Sequence, residues 1–181
     1  MKVVYKGKTK KGNGLIIRYL EVGDVQAMLD YINTMSLEQT FITFQGEQLT
    51  FVDEEKFVQS CLDKISKKVG VSLVAFCNEK LAGISAVDRK DKVQSHVGRL
   101  GISVSKEFRG EGVGKIILES VITEVKKSMP VLKIINLEVF ANNPNAINLY
   151  KKVGFKEWGT LPEAIFYKGE YIDEISMYKE V

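Results

Sequence analysis

Val104-Ser105-Lys106-Glu107-Phe108-Arg109-Gly110-Glu111-Gly112-Val113-Gly114-Lys115 is the stretch around which the chain is organised. A strand-like run, Leu100 to Val104, leads into it. An amphipathic helix leads out, with Val113, Ile116, Ile117, Val121 and Val125 at helical spacing. Glycines in the turn let backbone N–H groups approach a ligand closely. A helix N-terminus carries partial positive charge and favours an anion. The local physics therefore predicts a phosphate or pyrophosphate cradle, with Arg109 and Lys115 as nearby cations. A bare strand-to-helix turn would use the same glycines. A Walker loop fails because Arg109 and Ile116 stand where a glycine and a hydroxyl are needed. A dinucleotide fingerprint fails because Lys115 stands where its third glycine is needed. What the stretch does fill is Arg-x-x-Gly-x-Gly, with Arg109, Gly112 and Gly114.

The chain has 181 residues, 45% apolar and 27% charged, which is an ordinary globular composition and long enough for one core. The net charge of +3, from 26 basic and 23 acidic residues, is too mild to argue for nucleic acid. No apolar run approaches the ~20 residues of a membrane span, so neither nucleic acid nor membrane is expected as a partner. Met1 to Asn13 carries five lysines and no apolar core. It reads as a flexible basic tail preceding a single domain over residues 14–181. Cys61 and Cys77 fall in a predicted helix and a predicted strand. Their spacing suggests no metal site, and unpaired thiols fit a reducing, cytoplasmic compartment.

The elements follow in order. Leu15 to Leu20 reads as a strand. Asp24 caps a helix whose face is Val25, Met28, Leu29 and Ile32. Thr34 to Thr50 lacks a clean period. A second helix runs from Asp53 to about Lys68, with Phe57, Val58, Cys61, Leu62 and Ile65 on one side, and Gly70 ends it. Val71 to Cys77 and Leu81 to Val87 form a hairpin. Val93 to Val104 is the strand feeding the glycine loop. Lys133 to Phe140 is a strand, and a short helix begins at Asn143-Pro144 and stops at Gly154. Strands over 155–167 and 171–178 close the chain. This alternation, with antiparallel pairs on the flanks, predicts a mixed sheet in one α/β domain.

The segment Leu137 to Phe155 carries a second pattern: a strand, then Asn-x-x-Ala-x-x-x-Tyr, then Gly-Phe, filled by Asn143, Ala146, Tyr150, Gly154 and Phe155. Together with the glycine loop this resembles the GNAT N-acetyltransferase superfamily, from Leu73 to the C-terminus. The resemblance implies a single mixed, mostly antiparallel sheet with helices on both faces and a central splayed pair of parallel strands ending near Val104 and Phe140. It also implies acetyl-coenzyme A as co-substrate: its pantetheine arm along Ile102, Ser103 and Val104, its pyrophosphate on Arg109, Gly110, Glu111, Gly112, Val113 and Gly114, with Asn143 and Tyr150 contributing. A homodimer is among the assemblies it allows.

Acetyl transfer to an amine needs a base for the ammonium proton, a donor for the oxyanion and a proton for the departing sulfur. Backbone N–H groups near Val104 suit the oxyanion. With a phenol near ~10 and a thiol near ~8.5, Tyr150 is expected to protonate the thiolate as it forms, or else only to pack. Glu138 faces opposite to Leu137 and Val139, and its position matches a base of ribosomal-protein N-terminal acetyltransferases. A salt-bridged strand glutamate would occupy the same place. His96 or water are the alternatives. The His96 to Ile102 strand and the Gly169 to Met177 tail resemble members that acetylate small amines and amino acids. The resemblance therefore implies a small primary amine as acceptor, against a protein N-terminus or a non-catalytic acyl-coenzyme A sensor. The acceptor pocket is expected between Phe41, Phe44 and Phe51 and the hairpin residues Phe166, Tyr167 and Tyr171, with Asp173 or Glu174 attracting the ammonium.

Overall fold

The computed structural model describes residues 2–181. An eight-stranded sheet runs β1 (Val3–Lys8), β2 (Gly14–Tyr19), β3 (Gly70–Cys77), β4 (Lys80–Arg89), β5 (Val97–Val104), β6 (Ile134–Phe140), β8 (Glu170–Glu180), β7 (Lys156–Tyr167). Every neighbouring pair is antiparallel except β5 and β6. Helices α1 (Val25–Leu37), α2 (Phe51–Ser66), α3 (Val113–Ser128) and α4 (Pro144–Lys152) cover its two faces.

Strand alternation decides which helix covers which face. In β3 the side chains of Val71, Leu73, Ala75 and Cys77 enter the main core with Ile117, Val121 and Val125 of α3 and Ile147 and Tyr150 of α4. Val74, of opposite parity, joins a second core with Val25 and Met28 of α1 and Val58 and Cys61 of α2. A strand buried on both sides reads as a near-continuous apolar run, as Val71 to Cys77 does with Ser72 its one polar residue.

The parallel pair is short. Its register is Val97 to Ile134, Gly98 to Ile135 and Arg99 to Asn136, and there it stops. Beyond it β5 stays zipped to β4, from Leu100 opposite Val87 to Val104 opposite Gly83. Strand β6 stays zipped to β8, from Leu137 opposite Met177 to Phe140 opposite Glu174. Each strand keeps its outer partner, so a gap opens between them.

Several expected boundaries move. Residues 3–8, assigned to a tail, form edge strand β1, paired with β2. Val4 and Tyr5 pack on the main core, and the Lys2 ammonium lies 4.2 Å from the Tyr19 ring centroid and 2.8 Å from buried Glu124. Met1 lies outside the described residues. In α1 the buried stripe is Val25, Met28, Tyr31 and Met35; Val25 and Met28 pack with Val58 and Cys61 of α2 and Val74 of β3. In α2 Thr50 is the N-cap, its hydroxyl accepting from Asp53 N–H at 3.3 Å, and Phe57 lies on the exposed side. Lys68, not Gly70, takes the left-handed turn after that helix (φ 55°), and Gly70 begins β3. A 3₁₀ turn at Lys92–Gln94 delays β5 until Val97.

Candidate active site

The gap between Leu100–Val104 and Leu137–Phe140 is where the predicted residues converge. Backbone directions along β5 follow from four hydrogen bonds. His96 carbonyl accepts from Lys133 and Ile134 on the β6 side, at 2.8 and 3.2 Å. Val97 carbonyl accepts from Lys90 on the β4 side at 2.8 Å, and Ser105 N–H donates to Ala82 carbonyl at 2.9 Å. By alternation Ile102 and Val104 turn their peptide groups into the gap, where β6 no longer pairs with them. These are the N–H groups expected to serve the arm and the oxyanion.

At the far end lies the glycine loop. Gly110 and Gly112 have φ of 78° and 91°, a region costly for residues with a Cβ. Gly114 is small for another reason: a Cβ there would sit 3.3 Å from Leu149 of α4 and 3.5 Å from Val104. Buried Val113 anchors the first turn of α3. Two side chains do not face a ligand as expected. The Glu111 carboxylate is buried beneath the β1–β2 turn, accepting from Thr9 Oγ1 at 2.8 Å and Asn13 Nδ2 at 3.0 Å, with Lys11 Nζ at 3.0 Å. Those bonds, Lys11 first, hold its pKa below the usual carboxylate range. Arg109 turns back to α1: Nε donates to Val104 carbonyl at 2.9 Å and Nη2 to Glu38 Oε2 at 2.8 Å. Lys115 faces its helix neighbour Glu119 at 3.7 Å. The side chain lying over Gly112 is instead Lys10, whose stem would meet a Cβ there at 3.6 Å and whose N–H donates to Glu111 carbonyl at 2.9 Å.

Tyr150 and Glu138 lie on opposite faces of the sheet. Asn143 caps α4, its Oδ1 accepting from Ala146 N–H at 3.2 Å, and this sets the helix so that Tyr150 points into the α3–α4 core. The Tyr150 residue is 8% exposed, its ring 5.9 Å from that of Phe155. Its hydroxyl has no hydrogen-bond partner among the described residues, so the structural hydrogen bond of a merely packed tyrosine is missing. Burial pushes its pKa up to about 12. Full proton transfer to a thiolate of ordinary basicity would then be uphill by ~3.5 units, or ~5 kcal/mol. The hydroxyl is thus better suited to donating a hydrogen bond than to surrendering its proton.

On the other face, Leu137 and Val139 being in the main core, Glu138 and Phe140 look toward α1. So do Arg99, Gly101 and Ser103 of β5, whose neighbours Leu100, Ile102 and Val104 pack inward. Ser103 Oγ lies 2.9 Å from Tyr31 Oη, a link the sequence did not suggest. Burial drives the Tyr31 hydroxyl to a raised pKa. Glu138 is ion-paired: Oε2 accepts from Arg99 Nε at 3.0 Å and Oε1 from Asn136 Nδ2 at 3.3 Å. Its side chain remains 24% exposed. His96 immediately precedes β5 and is separated from Val104 by roughly 26 Å of extended chain, so it does not reach the glycine-loop end of the gap.

The expected aromatic wall is only partly assembled. Tyr167 meets Phe140 and Phe41, each pair of ring centroids 5.5 Å apart, and its hydroxyl donates to Gln39 carbonyl at 2.8 Å. Phe44 is half-buried and makes no ring contact with them among the described residues. Tyr171 is 67% exposed and pairs with Phe166, its cross-strand partner, at 5.2 Å. Adjacent strand residues face opposite ways, so Tyr171 and Phe166 cannot share a wall with Tyr167. Phe51 is exposed at the head of α2. The Asp173 carboxylate accepts from Glu163 N–H at 3.0 Å, at the β7 bulge, whereas Glu174 lies opposite Phe140 on the acceptor-side face.

A gap between parallel strands, closed by a left-handed glycine turn into a helix, is the frame of an acyl-coenzyme A enzyme. The Acetyltransferase (GNAT) family model matches residues 35–155, and the chain belongs to that family. It is an acetyl-coenzyme A-dependent N-acetyltransferase. It is 30% identical over 117 residues to the L-amino acid N-acetyltransferase AaaT of Escherichia coli (strain K12), covering 64% of this chain and 72% of that protein. The crystal structure of an acetyltransferase of the GNAT family from Streptococcus pneumoniae superposes with a TM-score of 0.84 at 30% identity, over 92% of this chain and 99% of that one. The yncA structure from Salmonella typhimurium, solved with its cofactor acetyl-CoA, shares the fold with a TM-score of 0.79 at 17% identity, over 92% and 93% of the two chains. No helix among the described residues is long and apolar enough to cross a membrane.

Proposed function

We propose that this enzyme acetylates the primary amine of a small molecule, an amino acid by preference, at the gap between β5 and β6. The observation that carries it is the placement of two polar groups on opposite faces of the sheet: the unpartnered Tyr150 hydroxyl on the α3–α4 side and, on the α1 side, the partly exposed Glu138 carboxylate of the β6 segment that borders the gap. The similarity to an L-amino acid N-acetyltransferase supports the acceptor class.

Gap and loop fit acetyl-coenzyme A: Ile102 and Val104 offer peptide N–H groups that β6 does not pair, and Gly110 and Gly112 leave two loop positions without side chains. When bound, the co-substrate supplies an electrophilic thioester carbonyl and a sulfur leaving group. The chain's part is to hold and to move protons. Glu138, directly or through water, takes the proton of the arriving ammonium, freeing its lone pair to form the C–N bond. Peptide N–H groups of β5 steady the developing oxyanion, and Tyr150 donates to the sulfur as the C–S bond breaks. Tyr150 keeps its own proton; the nitrogen's second proton, shed as the amide forms, passes through solvent to the departing sulfur, which ends as a thiol.

Thiol release with free amino acids, polyamines, aminoglycosides and short peptides at equal concentration tests the acceptor. Amino acids are expected to give the highest kcat/KM. A peptide preferred by ~100-fold, about 2.7 kcal/mol, overturns the small-molecule proposal. Gly112→Val tests the loop. With φ at 91°, valine there is strained, and the heat stabilisation by acetyl-coenzyme A should vanish. A folded variant with an unchanged shift refutes that placement.

A further inference from the structure

We propose that Arg99 selects α-amino acids by receiving their carboxylate while Glu138 beside it receives their ammonium; this rests on the small-molecule acceptor proposed above. Three observations on the page meet at this point.

The first is position. Arg99 and Asn136 form the last parallel rung, so Arg99 stands where the strands part. It looks to the same face as Ser103 and Phe140, the face away from Tyr150. The second is capacity. Only Nε of Arg99 is engaged, with Glu138 Oε2 at 3.0 Å; both Nη atoms lack partners among the described residues, and the side chain is 68% exposed. A guanidinium fork with free parallel N–H groups matches a carboxylate in two-pronged fashion. Arg109, by contrast, has its guanidinium committed to Glu38 and Val104. The third is room. A Cβ on Gly101, the next residue of this face, would meet nothing within 4 Å.

The pair is complementary to a zwitterion. In an α-amino acid the carboxylate and the ammonium hang from one carbon, so they need a cation and an anion side by side. Arg99 and Glu138 are so placed, touching at 3.0 Å. A peptide N-terminus brings an ammonium but no adjacent carboxylate. It would leave the guanidinium unanswered, and an amino acid with its groups several carbons apart would overshoot. The side chain of a seated amino acid would be free to extend toward Phe41, Phe140 and Tyr167.

The test compares one L-amino acid with its own carboxamide, which keeps the amine and loses the negative charge. The wild type is expected to favour the acid. Arg99→Met, which keeps the apolar stem of an exposed residue, should cut kcat/KM for the acid by about 13- to 160-fold, the range for a hydrogen bond to a charged group, mostly through KM. The carboxamide should fall by less than about 5-fold, since Glu138 retains Asn136. Arg99→Lys should restore part of the preference as a point charge without the fork. Acid and carboxamide falling together would make Arg99 a mere holder of Glu138 and overturn the proposal. So would a wild type indifferent to the carboxylate while still acetylating amino acids, an outcome that leaves the small-molecule function intact. A wild type that acetylates peptides and neither small compound removes both.

Discussion

Replacing Tyr150 by phenylalanine isolates one oxygen atom. The ring is buried against Phe155, and phenylalanine fills the same volume. The hydroxyl bonds to nothing among the described residues, so its removal breaks no native hydrogen bond. Thermal stability should therefore hold or rise slightly, and the acetyl-coenzyme A dissociation constant should stay within about 2-fold. Turnover should not. A hydrogen bond to developing charge is worth roughly 1.5–3 kcal/mol, which corresponds to a kcat loss of about 13- to 160-fold. The assay is steady-state thiol release with both substrates saturating, alongside calorimetric coenzyme binding. Because burial disfavours the phenolate and lifts the pKa to about 12, the wild-type profile should show no Tyr150 limb below about pH 11. A kcat within about 3-fold of wild type would refute the donor role. A parallel loss of coenzyme affinity would reassign the hydroxyl to binding.

Glu138→Gln should slow turnover most at low pH, where the amine is protonated and needs a base; an unchanged rate and profile would point to water. Lys10→Met should weaken acetyl-coenzyme A binding about 5-fold at low salt and less at high salt, as expected for an exposed ammonium over the loop; salt-independent binding equal to wild type counts against it. Glu124 tests the anchoring of the N-terminal strand. Burial alone would raise its carboxyl, but hydrogen bonds from Lys127, Lys2 and Tyr19 outweigh that and hold it at about 2. A depressed pKa means its stabilisation is full above ~4.5 and disappears as pH falls toward 2. Glu124→Gln should cost on the order of 2 kcal/mol at neutral pH and flatten acid unfolding in that window; a variant with wild-type acid sensitivity would refute the linkage.

Features set by neighbouring residues were legible in the sequence. The left-handed Gly112, the Asn143 cap and the left-handed Gly154 are written within a few positions of themselves. What escaped depends on partners far along the chain. Strand β1 offers only the short apolar run Val3-Val4-Tyr5, since an edge strand needs little more than Val4 and Tyr5 on the core and can carry lysines elsewhere. The opposed facing of Tyr167 and Tyr171 follows from the register Tyr167 to Glu170 and Phe166 to Tyr171, which composition does not express. Arg99 looks like any solvated charge on a strand until Glu138, 39 positions on, is seen beside it.

Between β5 and β6 the ladder stops after three rungs, so the proposed sites of the two reactants lie on opposite faces of an unpaired stretch of sheet. A reactant held against the glycine loop and one received beside Arg99 need not pass through a shared doorway. Neither must depart before the other arrives, so both can be present when the bond forms. No intermediate carrier is required either: Cys61 and Cys77 are buried, and burial pushes the Cys77 thiol up to about 11, so neither offers a ready thiolate to shuttle the acetyl group. Initial rates should accordingly give intersecting double-reciprocal lines, as expected when acetyl passes directly from one molecule to the other across the thickness of a single sheet.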